Sequence, residues 1–155
     1  AWSVEQTCTA LRHDGNTNMD IGDSIRIHEL MSRYAYALDE HDMAMLEDCF
    51  APEASFTIDI SGSETVGPFV GREAIMELIR SSAEAQSDRR RHVVSNVFVE
   101  TAGDDFADVV SNLTLFSIMD GRLNPVTTGV YRDHVTASDG CWTILKRHLY
   151  LDLPY

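Results

Sequence analysis

Apolar positions in the first third of the chain follow a helical rhythm. From Asp23 onward Ile27, Leu30, Met31, Tyr34 and Leu38 recur every three or four residues, with Arg26, Glu29 and Arg33 between them. That is the pattern of a helix with one buried face. Asp20 or Asp23 can cap its start, and the stripe predicts an end near Glu40. Asp42 can cap a second, short helix through Met43, Leu46 and Phe50 that stops before Pro52. The rhythm then switches to period two. Residues 54–60 predict a strand with Phe56, Ile58 and Ile60 on one side and Ser55, Thr57 and Asp59 on the other. Gly67, Pro68 and Gly71 predict a loop into a third helix over residues 72–82, whose stripe is Ile75, Leu78 and Ile79.

The second half differs in kind. Residues 92–101, 106–118, 126–136 and 142–153 are rich in Val, Thr, Phe, Tyr and Leu, and Gly103-Asp104, Asp120-Gly121 and Asp139-Gly140 separate them. Each separator is a turn signal, so these runs predict four long strands in an antiparallel meander. Helices first and a sheet afterwards is an α+β order, not an alternating one. A sheet covered by helices on one face can curl into a cone with a pocket inside. Residues 1–20 are turn-rich and aperiodic towards Asp20, and are expected to be a flexible lead-in to one domain over residues 21–155.

Composition narrows the setting. The 155 residues carry a net charge of −13 with histidine neutral, which disfavours nucleic acid or an anionic membrane as partner. At 44% apolar residues, the chain can build one core with room for a pocket. No apolar run approaches the roughly 20 residues of a membrane helix. Cys8, Cys49 and Cys141 are odd in number and widely spaced, which suits neither a disulfide framework nor a CxxC site, so a reducing cytoplasm is the expected setting. No nucleotide-binding, P-loop, hydrolase-elbow or zincin motif occurs, and neither metal nor cofactor is expected.

Two residues draw attention on chemical grounds. Asp39 falls in the last turn of the first helix, where exposed carbonyls disfavour a carboxylate by a few tenths to about 1 kcal/mol. It is either a solvated or capping acid in the stretch Asp39, Glu40, Asp42, or an acid placed there for a general-base role. His92 opens the first meander strand after Arg89, Arg90 and Arg91. Strict alternation puts His92, Val94, Asn96 and Phe98 on one face, so His92 is either a strand-end residue beside a basic run or part of a pocket wall. Tyr34 and Tyr131 read as core residues whose hydroxyls can reach a pocket. One of Ser111 and Asn112 must point inward. Arg147, if inward, needs a carboxylate such as Asp39 or Asp59.

The segments RYAYALDEHDMAMLEDCFAPEA, GREAI at residues 71–75, RHVVSN, GVYRD and CWTILKR, in this order, resemble the SnoaL-like branch of the nuclear-transport-factor-2-like superfamily over residues 23–152. The resemblance implies a curved antiparallel sheet wrapped by three helices, a cystatin-like α+β barrel enclosing a pocket. Relatives include dehydratases, a dehydrochlorinase, ketosteroid isomerases, polyketide cyclases, an epoxide hydrolase and dioxygenase β subunits. In the dehydratase branch a helix Asp pairs with a strand His, and Asp39 and His92 occupy those places, with Tyr34 at the position of a helix tyrosine. Where scytalone dehydratase has a second His, this chain has Ser111 and Asn112.

The expected function is a cofactor-independent lyase or isomerase for a mostly apolar cyclic or aromatic molecule. Asp39, His92 and Tyr34 would be catalytic, and Asn96, Asn112, Tyr131 and Arg147 would contact the substrate. The alternatives are a non-catalytic binding or assembly module, and an epoxide hydrolase built on Asp39, Arg147 and Asp59. A homodimer or homotrimer is expected by resemblance.

Overall fold

The computed structural model describes residues 19–155, so the expected lead-in lies almost wholly outside the described residues. Helix α1 spans Ile21–Glu40, and the Asp20 side chain caps it by accepting from the Asp23 N–H at 2.7 Å. Its buried face carries Ile27, Leu30, Met31, Tyr34, Ala35 and Ala37. The helix ends where His41 turns into the left-handed region at φ 56°. Asp42 then caps α2, Met43–Asp48, by accepting from the Met45 N–H at 3.0 Å. This helix is shorter than expected, because Phe50 already belongs to strand β1, Phe50–Ile60.

Strand β2, Val66–Val70, occupies the stretch read as a loop. Its Gly and Pro are tolerated because β2 pairs only with β1 and forms an edge of the sheet. Helix α3 covers Arg72–Ala85 and buries Ile75, Met76 and Ile79. The meander follows as β3 Arg89–Ala102, β4 Phe106–Met119, β5 Arg122–Ser138 and β6 Cys141–Leu151. The six strands lie in the order β2-β1-β6-β5-β4-β3. All neighbours are antiparallel except β1 and β6, which run parallel. Strand β2, helix α3 and strands β3 to β5 separate those two strands in sequence, ample length for a parallel crossover.

The result is the expected α+β fold, a curved sheet with the helices packed against it, and the sheet does not close on itself. The β2 and β3 edges remain apart, and α1 packs along β3 instead of a further strand. The concave face and the helices share one core that includes Ile27, Met31, Tyr34, Phe50, Ile75, Leu113, Tyr131 and Ile144. Among the described residues no helix is long and apolar enough to cross a membrane. Cys49 and Cys141 are free thiols.

An ion pair sits within this core. Arg147 on β6 and Asp133 on β5 face each other in register, and Nε and Nη2 of Arg147 donate to the two Asp133 oxygens at 2.7 Å each. Both side chains are essentially inaccessible, at 1% and 0% exposure. A register shift between His134 and Val135 aims Arg147 inward. It lets Ile144 and Arg147, three residues apart, face the same side.

Removal of one partner from a buried pair leaves an uncompensated charge. Asp133→Asn is therefore expected to lower the unfolding free energy by about 3–5 kcal/mol. Gly129→Ala is expected to cost about 1–3 kcal/mol, because the added Cβ would lie 2.4 Å from the Tyr150 carbonyl oxygen of the neighbouring strand. Urea titration of each variant checks both values.

Candidate functional site

Strand β3 is an outer strand, so N–H groups along its free edge find no partner in the sheet. Asp39, in the last turn of α1, supplies one. Its two oxygens accept the His92 backbone N–H at 3.1 and 3.0 Å, and Oδ1 also lies 2.6 Å from Nδ1 of the same histidine. Arg91 approaches within 4.0 Å on the other side. These donors offset the helix-end position that makes a carboxylate unfavourable there.

The consequence for His92 is a defined orientation. A carboxylate can only accept, so Nδ1 carries a proton towards Asp39, and Nε2 is the ring nitrogen left to meet another group. Nε2 has no protein hydrogen-bond partner among the described residues. Exposure of the two side chains is 11% for His92 and 8% for Asp39. The ring borders a cavity of about 120 Å³ whose walls include Leu38, Phe56, Ile58, Leu78, Leu113 and Leu149. The Asp39–His92 pair therefore lies on the wall of a mostly apolar hollow.

Tyr34 and Tyr131 border the same cavity. Their rings meet edge to face at 6.2 Å, and Phe50 meets Tyr34 at 5.8 Å. The Arg147 guanidinium lies behind them, 3.9 Å from the Tyr34 centroid and 4.3 Å from that of Tyr131. Burial pushes the Tyr34 phenol above its ordinary range, partly opposed by Arg147, and pushes that of Tyr131 up further. Both therefore stay protonated and remain hydrogen-bond donors at neutral pH.

Other expected residues fall elsewhere. Arg147 does not border the cavity, because the two tyrosines cover it. Its partner is Asp133, neither Asp39 nor Asp59. Asn96 sits at φ 52° in a bulge between Ser95 and Phe98, and is exposed. The bulge reverses the strand's phase, so Val97 and Val99 pack on the core while Phe98 is half exposed. Asn112 pairs with Ser95 and Val130 on the convex side, and Ser111 is the residue that points inward, fully buried. Asp59 is also convex, bonded to His148 at 2.7 Å, so Asp39, Arg147 and Asp59 do not converge. Asp133 was missed. The alternation of Tyr131 and Asp133 in GVYRD was the available signal.

Other histidine–carboxylate pairs show what sets Asp39 and His92 apart. His134 with Asp108 and His148 with Asp59 have similar 2.7 Å contacts, yet each side chain is about one-third exposed or more, and none borders this cavity. Among the described residues no three His, Cys, Asp or Glu side chains converge as metal ligands would.

Comparison with solved structures places this architecture among known relatives. A protein of unknown function with a cystatin-like fold from Nostoc punctiforme shares 22% identity at TM-score 0.74, over 88% of this chain and 97% of its own. A Novosphingobium aromaticivorans protein provisionally described as an aromatic ring hydroxylase shares 27% identity at TM-score 0.72, over 88% and 93%. Another from that organism, provisionally described as a scytalone dehydratase, shares 19% at TM-score 0.67, over 84% and 85%. No curated protein sequence matches. The SnoaL-like domain model matches residues 20–148, and the chain belongs to that family.

Proposed function

We propose that this protein is a cofactor-independent acid–base enzyme, a dehydratase-like lyase or an isomerase, acting on a small cyclic or aromatic molecule. The 2.6 Å contact between Asp39 and His92 on the cavity wall carries the reading. His92 Nε2 takes a proton from a carbon beside an activating group, and Asp39 stabilises the imidazolium that forms. Tyr34 and Tyr131 donate to the oxygen on which charge develops, which is the larger contribution in a water-poor site. The imidazolium then returns the proton, either to another carbon in isomerisation or to the leaving group in elimination.

The provisional description of one structural neighbour as a scytalone dehydratase supports this class of chemistry. Cavity size supports a compact substrate. An engineered apolar cavity of about 150 Å³ takes one benzene, so about 120 Å³ encloses no more than about one ring, and a larger molecule extends through the mouth.

Exchange of the α-protons of 2-indanone in D₂O, followed by proton NMR, tests the abstraction step alone. Wild-type protein is expected to accelerate exchange, and His92→Ala to remove about 10²–10⁴-fold of it. Asp39→Asn is expected to lose about 10-fold or more while circular dichroism stays unchanged. Full exchange in a folded His92→Ala variant overturns the mechanism. A wild-type protein that binds 2-indanone without exchanging it favours the non-catalytic reading.

A further inference from the structure

The mouth of the cavity differs chemically from its interior. Its rim is formed by His41, Ser82, Gln86, Arg90 and Tyr155. Two helices end here, α1 at His41 and α3 at Gln86, and both present carbonyl ends with negative partial charge. Arg90 is the one side chain with a permanent positive charge that borders the cavity among the described residues.

The three consecutive arginines are not equivalent. Glu40 accepts from Arg89 at 3.5 Å and from Arg91 at 2.9 Å, which ties both to the end of α1. Arg90, two residues before His92, points the same way as the histidine. Its Nε donates to Asp88 at 3.2 Å, and neither Nη group has an acceptor among the described residues. Its guanidinium lies 5.1 Å from the centroid of the Tyr155 ring, and the side chain is 28% exposed. A guanidinium held by one edge and one face, with both Nη groups left over, is prepared for a planar two-oxygen acceptor.

We propose that the substrate is a small carboxylic acid, with its ring inside the cavity and its carboxylate held at the mouth by Arg90. The proposal rests on the acid–base reading above and names the substrate class of that site. A single guanidinium fork matches a carboxylate in geometry and in unit charge. A phosphate, carrying up to two charges, would meet Asp88 and the two helix ends with no second permanent cation. With the carboxylate fixed at the rim, the carbons one or two bonds inward lie on the side of the cavity that His92 borders.

The test uses trans-cinnamate and its neutral isostere trans-cinnamamide, titrated calorimetrically and by methyl NMR of Leu38, Ile58 and Leu149. Wild type is expected to bind cinnamate about tenfold more tightly than cinnamamide. Arg90→Gln is expected to abolish that preference by weakening cinnamate alone. Arg90→Lys, which keeps the charge and loses the fork, is expected to restore only part of it. Equal binding of the two probes by wild type, or an unchanged preference in Arg90→Gln, overturns the proposal and leaves the acid–base reading standing. Failure of both probes to shift the three cavity methyls overturns the carboxylate proposal and the cavity reading together.

Discussion

The Arg147–Asp133 pair is the constraint around which the concave side of this protein is built. Two charges removed from water cost several kcal/mol each unless they satisfy one another, and the two-point contact at 2.7 Å does so. The pair also fixes the two tyrosines. With the guanidinium lying between the faces of Tyr34 and Tyr131, neither ring can rotate without losing a cation–π contact in a desolvated setting. Buried charge thus serves geometry: it ties β5 to β6 and holds the cavity floor in one arrangement. Among the described residues, Nη1 of Arg147 and Oγ of Ser111 are buried without a partner, so these polar atoms of the core are not satisfied there. That cost is easier to understand where the surrounding geometry has a use.

Asp39 links the fold to the chemistry in a second way. Its backbone belongs to α1, and its carboxylate satisfies the open edge of β3 through the His92 N–H. The same carboxylate sets the tautomer of the His92 ring. The helix cannot shift along the sheet edge without disturbing the imidazole, so correct docking of α1 and correct orientation of the base are one event. Glu40 reinforces it by drawing Arg89 and Arg91 onto the helix end, which leaves Arg90 on the cavity side.

Much of the architecture was legible because helices and strands advertise themselves by period. Ile27, Leu30, Met31 and Tyr34 face the core as their spacing predicts. The turn signals at Gly103-Asp104, Asp120-Gly121 and Asp139-Gly140 do separate the four meander strands. What period two cannot reveal is a bulge, since one inserted residue flips every side chain beyond it. Asn96 is the clearest case: alternation put it beside His92, whereas its left-handed backbone turns it outward and brings Val97 in. Near Leu145 the same effect works in the other direction and brings Arg147 inside with Ile144. The proximity of Asp39 and His92, 53 positions apart, has no local signature at all. Only the resemblance suggested it.

The convex face provides a control for how the Asp39–His92 pair is to be understood. His134–Asp108 and His148–Asp59 reproduce the same donor–acceptor pairing, with a threonine hydroxyl on each carboxylate. They share the chemistry of Asp39 and His92 but not the environment. At about one-third exposure, water competes for every lone pair, and the interaction between ring and carboxylate is screened. Around His92 the walls are leucine, isoleucine and tyrosine, and the carboxylate is nearly inaccessible. The contact between Asp39 and the imidazole is therefore little screened by water. Burial, more than the identity of the pair, separates a group able to act as a base from one that only ties two strands together.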